Sequence, residues 1–203
     1  MRHFISCLLA AICTWAAFSQ ALAEPAGFKS LAIGDAAPDF KLPGVDDKEY
    51  TLKSFADARV LLIVFTCNHC PTAQAYESRI ARLHADYQDK GVALVAISPN
   101  DPPAVRLDEL GYSDLGDSFE DMKLRAKERK FAFPYLYDGE KQEAALAYGV
   151  VATPQVFLFD QNRKLRYVGR IAEVTFTVEQ HAIVVAPASQ QKTTAPAAET
   201  ANP

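Results

Sequence analysis

Two cysteines three positions apart are the residues of this sequence best suited to chemistry. Cys67 and Cys70 enclose Asn68 and His69 and follow directly after an apolar run over residues 60–65. A disulfide between cysteines this close would stabilise the fold little, because it closes almost no loop. Two intervening residues are typical of a redox-active dithiol, in which one thiolate attacks a disulfide and the other sulfur resolves the mixed disulfide. The spacing therefore predicts a Cys67/Cys70 pair that alternates between dithiol and disulfide bond.

The elements around the motif should be a buried strand and an amphipathic helix. Residues 60–65 are continuously apolar and rich in branched side chains, which is typical of a strand buried on both faces. After Cys70, apolar side chains recur every three or four positions, which predicts a helix with one apolar face. The members of that face are Ala73, Tyr76, Ile80, Leu83 and Tyr87. The motif then stands where a strand passes into a helix.

A helix start of this kind favours a thiolate. Its unpaired N–H groups and the positive end of the helix dipole lower the pKa of a nearby cysteine. We expect Cys67 to be exposed with a lowered pKa and Cys70 to lie beneath it. We assign thiolate tuning to His69, whose protonated form would stabilise the anion, and to Asn68.

A metal site is an alternative use of the same cysteines. Half a zinc site needs two further ligands, and His84 lies about 20 Å along the predicted helix at 1.5 Å per residue. We therefore expect redox chemistry with no resident metal and no cofactor. Cu(I) binding by Cys67 and Cys70 stays open, since soft thiolates select that ion.

The first 23 residues resemble a secretory signal. Arg2 and His3 precede an apolar run over residues 4–18, and Ala21-Leu22-Ala23 is a small-residue cleavage pattern. The run is shorter than the about 20 residues of a membrane span. We expect cleavage after Ala23 and an exported, periplasmic protein with no stable membrane anchor, which loses the other two cysteines with the signal.

The rest of the chain predicts an α/β domain over residues 24–185. Strand, helix and strand around the cysteines, followed by a hairpin, indicate a mixed central sheet with helices on both faces, an N-terminal strand extension and a loop insertion. The further predicted elements are a strand at 92–97, a loop at 99–117, a helix from Ser118 to about Lys130, a strand at 133–137, a helix at 140–148, strands at 155–159 and 164–170, and a last helix from Thr177 to about Val185. Residues 186–203 lack an apolar period and predict a disordered tail.

Composition excludes several classes of protein. Of the 203 residues, 49% are apolar, too many for a disordered acidic chain. The formal net charge is -4, so the basic excess of a nucleic-acid binder is missing. We expect a monomer whose partners are proteins.

Thr153-Pro154, directly before a predicted strand, has two interpretations. A proline can simply begin a strand. It can also be a cis proline whose preceding residue offers its backbone to a substrate strand.

These motifs together resemble the thioredoxin superfamily, in the branch of exported redoxins with an AhpC/TSA-type domain. The resemblance covers about residues 33–170 and rests on Ala37-Pro38-Asp39-Phe40, Cys67-Asn68-His69-Cys70-Pro71, Phe133-Pro134-Tyr135-Leu136-Tyr137-Asp138, Tyr148-Gly149-Val150, Thr153-Pro154 and Gly169-Arg170-Ile171. It implies a thioredoxin-like fold with Cys67 as nucleophile, Cys70 as resolving cysteine and a cis Pro154 facing them, with Thr153 and Pro154 binding substrate. It also implies a thiol-disulfide oxidoreductase acting on protein dithiols or disulfides and served by a further redox partner.

Three positions depart from the family pattern. Thr66 stands where thioredoxins have tryptophan before the first cysteine. Val60 and Val64 stand where a typical peroxiredoxin has proline and threonine. Thiol peroxidase activity is therefore retained only as an alternative.

Overall fold

Strands and helices alternate along most of the chain. The computed structural model describes residues 29–105, 108 and 115–171, together with the backbone of 176–178 and 183–185. The strands are β1 (Lys41–Pro43), β2 (Glu49–Thr51), β3 (Val60–Phe65), β4 (Val92–Ser98), β5 (Tyr135–Tyr137), β6 (Gln155–Phe159), β7 (Leu165–Gly169), β8 (Phe176–Val178) and β9 (Ile183–Val185). The helices are α1 (Pro71–Tyr87), α2 (Phe119–Arg129) and α3 (Glu143–Tyr148).

The central sheet has five strands in the order β5-β4-β3-β6-β7. β3 pairs in parallel with β4, with Val60 opposite Val92, and antiparallel with β6, with Val64 opposite Val156. β5 is parallel to β4, and β7 is antiparallel to β6. The predicted mixed sheet is confirmed, and the strand that leads into the cysteines is its central one.

The six residues of β3 are all buried, and they alternate between two cores. Successive side chains of a strand point to opposite faces. Ile63 lies in one core with Tyr148 of α3, whereas Val64 lies in the other with Ile80 of α1 and Met122 of α2. Helices therefore cover both faces, as predicted. Each such side chain contributes about 1.5–3 kcal/mol when fully buried, which makes the end of β3 a rigid place to attach a site.

Helix α1 begins directly after the motif. Cys70 is its N-cap residue, and Pro71 occupies the first helical position, where its missing N–H costs no helical hydrogen bond. A short 3-10 turn follows the helix and ends at Gly91. The φ of Gly91 is 79°, a left-handed conformation that favours glycine. The first turn of α1 thus begins at the second cysteine of the motif.

Helix α2 packs beside α1 and begins as predicted. Its N-cap Ser118 accepts a hydrogen bond from the backbone N–H of Asp121 at 3.1 Å. A buried ion pair links the two helices, since Arg125 Nε lies 2.7 Å from Glu77 Oε1. Arg129 adds a second contact to Glu77 at 3.2 Å.

The N-terminal extension is a hairpin against the edge of the sheet. β1 and β2 pair antiparallel, with Leu42 opposite Tyr50. The chain after β1 reaches the outer strand β5, where Val45 N–H donates to Tyr135 O at 3.0 Å.

One predicted element is wrong. The helix expected from Thr177 to about Val185 is replaced by β8 and β9, which pair antiparallel with Phe176 opposite Val185. The segment is rich in β-branched residues, which favour strands over helices, and this outweighs the capping pattern of Thr177 and Gln180.

The predicted signal (residues 1–23), the predicted tail (186–203) and part of the loop insertion (106, 107 and 109–114) lie outside the described residues. In the part of the chain that the structure describes, no helix combines the length and apolar character needed to cross a membrane.

Candidate redox active site

The two cysteines lie at the end of the central strand. Cys67 is the second residue after β3, and Cys70 caps α1. Both are free thiols. Cys67 is only 2% exposed, whereas Cys70 is half-buried. The expected order of exposure is therefore wrong, because the chain stays in the protein interior past the end of β3 and through Asn68.

Thr153 faces both sulfur atoms. Its Oγ1 lies 3.2 Å from Cys67 Sγ, and its carbonyl oxygen lies 3.9 Å from Cys70 Sγ. The Thr153–Pro154 peptide bond is cis, as the resemblance implied. The structure thus brings the Cys67/Cys70 pair against Thr153, the residue before Pro154, across more than 80 positions of sequence.

A buried carboxylate that the sequence reasoning missed also lies in the site. The side chain of Asp117 has no exposed surface. Its Oδ1 accepts hydrogen bonds from the backbone N–H groups of Asn68 at 2.7 Å and His69 at 3.2 Å. Its Oδ2 accepts from Asn100 Nδ2 at 2.6 Å. Asp117 therefore holds the two residues between the cysteines in place.

The two predicted tuning residues are engaged with neighbours other than the sulfurs. His69 Nδ1 lies 2.5 Å from Asp117 Oδ2. The amide of Asn68 donates to Gly116 O at 2.8 Å and accepts from the Tyr135 hydroxyl at 3.2 Å. Their effect on a thiolate therefore remains a prediction.

The environment of Cys67 keeps it protonated at neutral pH. Burial, and secondly the charge of Asp117, raise the pKa of Cys67 to about 12, and the hydrogen bond from Thr153 offsets this only in part. The expected lowered pKa is wrong for this reduced form. Its physical reason is that burial and the neighbouring carboxylate outweigh the hydrogen bond that Cys67 receives from the backbone N–H of Cys70 at the start of α1.

An open cavity of about 410 Å³ lies against the site. Part of its wall is polar and part apolar, and it includes Cys70, His69, Asn100, Leu146, Val151 and Thr153. Leu146 and Val151 are 63% and 68% exposed. The cavity therefore gives a partner molecule access to Cys70 and to the backbone of Thr153.

Of the polar residues that sequence reasoning missed, one had a usable signal. Asn100 follows β4, the parallel neighbour of β3, and the carboxyl ends of parallel strands share one edge of a sheet. Asp117 had no sequence signal that could have indicated the site, because it stands at the end of a long irregular connection, 49 positions after Asn68.

Residues 33–168 match the model of the AhpC/TSA family. The chain belongs to that family. The match spans the central sheet, both cysteines, Asp117 and Thr153.

The relatives of this family member include named oxidoreductases. The thiol-disulfide oxidoreductase ResA of Geobacillus thermodenitrificans is 25% identical over 183 residues, covering 89% of this chain and 92% of that protein. A structure of a hypothetical protein from Sinorhizobium meliloti 1021 is 35% identical with a TM-score of 0.62, covering 70% of this chain and 72% of the other.

A further structural neighbour supports the fold alone. The thioredoxin domain of a thiol-disulfide oxidoreductase from Bacteroides vulgatus is 20% identical with a TM-score of 0.54, covering 68% of this chain and 89% of the other. The thioredoxin-like fold is confirmed. At the level of enzyme class, the comparisons also confirm a thioredoxin-like thiol-disulfide oxidoreductase.

Proposed function

We propose that this protein is an exported oxidoreductase that exchanges its Cys67/Cys70 dithiol with disulfides of protein substrates. The observation that carries the proposal is the position of Thr153, which contacts both sulfurs across the end of the sheet. This arrangement supports a substrate strand lying along Thr153, with its disulfide directed at the cysteines.

The reaction has two exchange steps. The Cys67 thiolate attacks one sulfur of the substrate disulfide, a mixed disulfide forms, and the other substrate sulfur leaves as a thiol after taking a proton. Cys70 then attacks Cys67 Sγ, which releases the second substrate thiol and leaves the Cys67–Cys70 disulfide. Two electrons and two protons have passed to the substrate, and a dithiol partner restores the reduced form. In reverse, the same steps oxidise a client.

Because Cys67 is buried, a substrate must first dock and expose its sulfur. Because its thiol is covered and its pKa is raised, we expect Cys67 of the free enzyme to react slowly with small disulfides and alkylating reagents. A docked substrate that replaces the contact between Cys67 and Thr153 would expose the sulfur. The exposed Val151 beside the cavity supplies apolar surface for such docking.

Mixed-disulfide trapping tests the roles of the two cysteines. Cys70→Ser should accumulate a covalent complex with a disulfide-bonded protein substrate such as insulin, and Cys67→Ser should not. Both variants should lose turnover. Trapping by Cys67→Ser alone would reverse the roles, and full turnover by either variant would refute the dithiol mechanism. Hydrogen peroxide consumption, measured in parallel, would favour a thiol peroxidase.

Export is proposed from the signal-like residues 1–23. Expressed from its full sequence in a Gram-negative host, the protein should be recovered from the periplasm. Mass spectrometry should show Glu24 as its first residue. A cytoplasmic protein that retains residues 1–23 would contradict this part of the proposal.

A further inference from the structure

The side chains of Cys67, His69 and Asp117 form a cluster with three different donor atoms. The sulfur, a ring nitrogen and a carboxylate oxygen all lie within 4.8 Å of one another. Beyond the predicted signal, the sequence alone offers only two cysteines and the distant His84 for a zinc site. Asp117, which comes from the other end of the loop insertion, supplies the ligand that was missing from that argument.

We propose that the reduced protein binds one Zn²⁺ through Cys67 Sγ, His69 Nδ1 and an oxygen of Asp117. Zinc is bound by thiolate, imidazole and carboxylate, and many sites use three protein ligands with a fourth position open to water. Binding forms a Zn–S bond in place of the S–H bond, and the proton passes to solvent. No electrons are transferred.

The distances fit the ion after small side-chain movements. Zinc–ligand bonds of about 2.0–2.3 Å in a tetrahedron place two ligand atoms ~3.4–3.7 Å apart. His69 Nδ1 and Asp117 Oδ2, now 2.5 Å apart, would separate by about 1 Å, and Cys67 Sγ, which lies within 4.8 Å of the other two ligand atoms, would approach by at most about 1 Å. Rotations of the His69 and Cys67 side chains can supply these changes.

The carboxylate is already oriented for a cation. Asp117 is fixed by the N–H groups of Asn68 and His69 and by Asn100, contacts of the kind that hold metal ligands in position. Among the described residues, the basic side chain that contacts it is His69. A divalent ion would balance the charges of Asp117 and the Cys67 thiolate inside the protein, where unpaired charges are costly.

The donor set favours zinc over Cu(I). Cu(I) selects soft sulfur ligands and would use both cysteines. Cys70 is outside the cluster, with its Sγ directed at the carbonyl of Thr153. His69, whose side chain is 16% exposed and lines the cavity, provides the way in for the ion.

Metal binding and the proposed redox reaction compete for the same sulfur. A Zn–S bond occupies the attacking atom, and a Cys67–Cys70 disulfide has no thiolate to offer. Zinc should therefore bind the dithiol form and leave on oxidation, and it should inhibit disulfide exchange reversibly.

Zinc titration of the reduced protein against a chromophoric chelator tests the proposal. Wild type and Cys70→Ser should each bind one Zn²⁺. The three ligand variants should bind zinc about tenfold to 100-fold more weakly than wild type; they are Cys67→Ser, His69→Gln and Asp117→Asn. With Co²⁺, a thiolate-to-metal charge-transfer band should appear in wild type and Cys70→Ser and be missing in Cys67→Ser.

A matched control exists in Asp138, a second buried carboxylate, which accepts hydrogen bonds from the N–H groups of Ala144 and Ala145. Asp138→Asn should leave zinc affinity unchanged. If Asp117→Asn does not fold, His69→Gln decides.

The proposal is overturned if wild type binds no zinc, if Cys70→Ser loses as much affinity as Cys67→Ser, or if His69→Gln binds as tightly as wild type. These titrations contain no disulfide substrate. Failure of the zinc site and failure of the redox mechanism are therefore separate results.

Discussion

Replacing Asp117 by asparagine should make Cys67 more reactive, even though it changes a buried residue of the site. The charge of Asp117 is the second cause, after burial, of the raised pKa of Cys67. Asparagine has nearly the same shape and keeps a carbonyl oxygen for the N–H groups of Asn68 and His69. The substitution thus removes the negative charge while burial remains.

The size of the effect follows from the separation of the two groups. With Cys67 Sγ and Asp117 within 4.8 Å and an effective dielectric constant of about 20, their repulsion is on the order of 3 kcal/mol. Removing this repulsion lowers the pKa of Cys67 and gives on the order of 100-fold more thiolate at neutral pH. Because a less basic thiolate is a weaker nucleophile, with a Brønsted coefficient of about 0.4–0.5, the net gain in rate is on the order of tenfold.

The assay is alkylation of Cys67 by iodoacetamide in a Cys70→Ser background, with a chelator present to exclude metal binding. In the parent, the rate should rise about tenfold per pH unit up to pH 10, because the pKa of Cys67 is about 12. In Asp117→Asn the rate at pH 8 should be on the order of tenfold higher, and the profile should level off at lower pH.

Asp138→Asn is again the matched control, since it removes a buried carboxylate that is bonded to the N–H groups of Ala144 and Ala145 and not to the motif, and it should not change the alkylation rate. An unchanged or slower rate in Asp117→Asn, with native circular dichroism, would refute the reasoning. Burial alone would then account for the raised pKa of the Cys67 thiol.

Two further predictions concern stability. Glu77→Gln leaves Arg125 charged in a buried position and should lower the free energy of unfolding by about 3 kcal/mol; urea denaturation measures this, and a loss below 1 kcal/mol would contradict it. Burial raises the pKa of Cys67, Tyr135 and Tyr148, so above about pH 9 the unfolded chain releases protons that the folded protein keeps, and stability should fall as pH rises. Tm followed from pH 7 to 10.5 should be level at first and then decline, and a level Tm throughout would count against it.

The elements around the cysteines could be predicted because local patterns determine them. β3 is a continuous apolar run, and α1 has its apolar residues at helical spacing, so strand, helix and motif were placed correctly. Ser118 likewise marked the start of α2 by its capping chemistry. Packing against the sheet then reinforced each local preference.

The properties of the site could not be predicted in the same way. The sequence places Cys67 beside a helix start, and a helix start by itself would lower the pKa of the Cys67 thiol. The opposite result comes from burial and from Asp117, which reaches the motif through a contact with Asn68, 49 positions away in the sequence. The helix predicted from Thr177 is wrong for a different reason, because the β-branched residues around Thr177 favour paired strands over the helix that its capping pattern indicates.

The carboxylate nearest to the cysteines directly precedes Ser118, the residue that caps α2. Any shift of the first turn of α2 would therefore move Asp117 relative to Cys67. In protein engineering, the connection between β4 and α2 is then the segment to vary if the reactivity of the pair is to be adjusted. Libraries confined to the four residues of the motif would leave that determinant untouched.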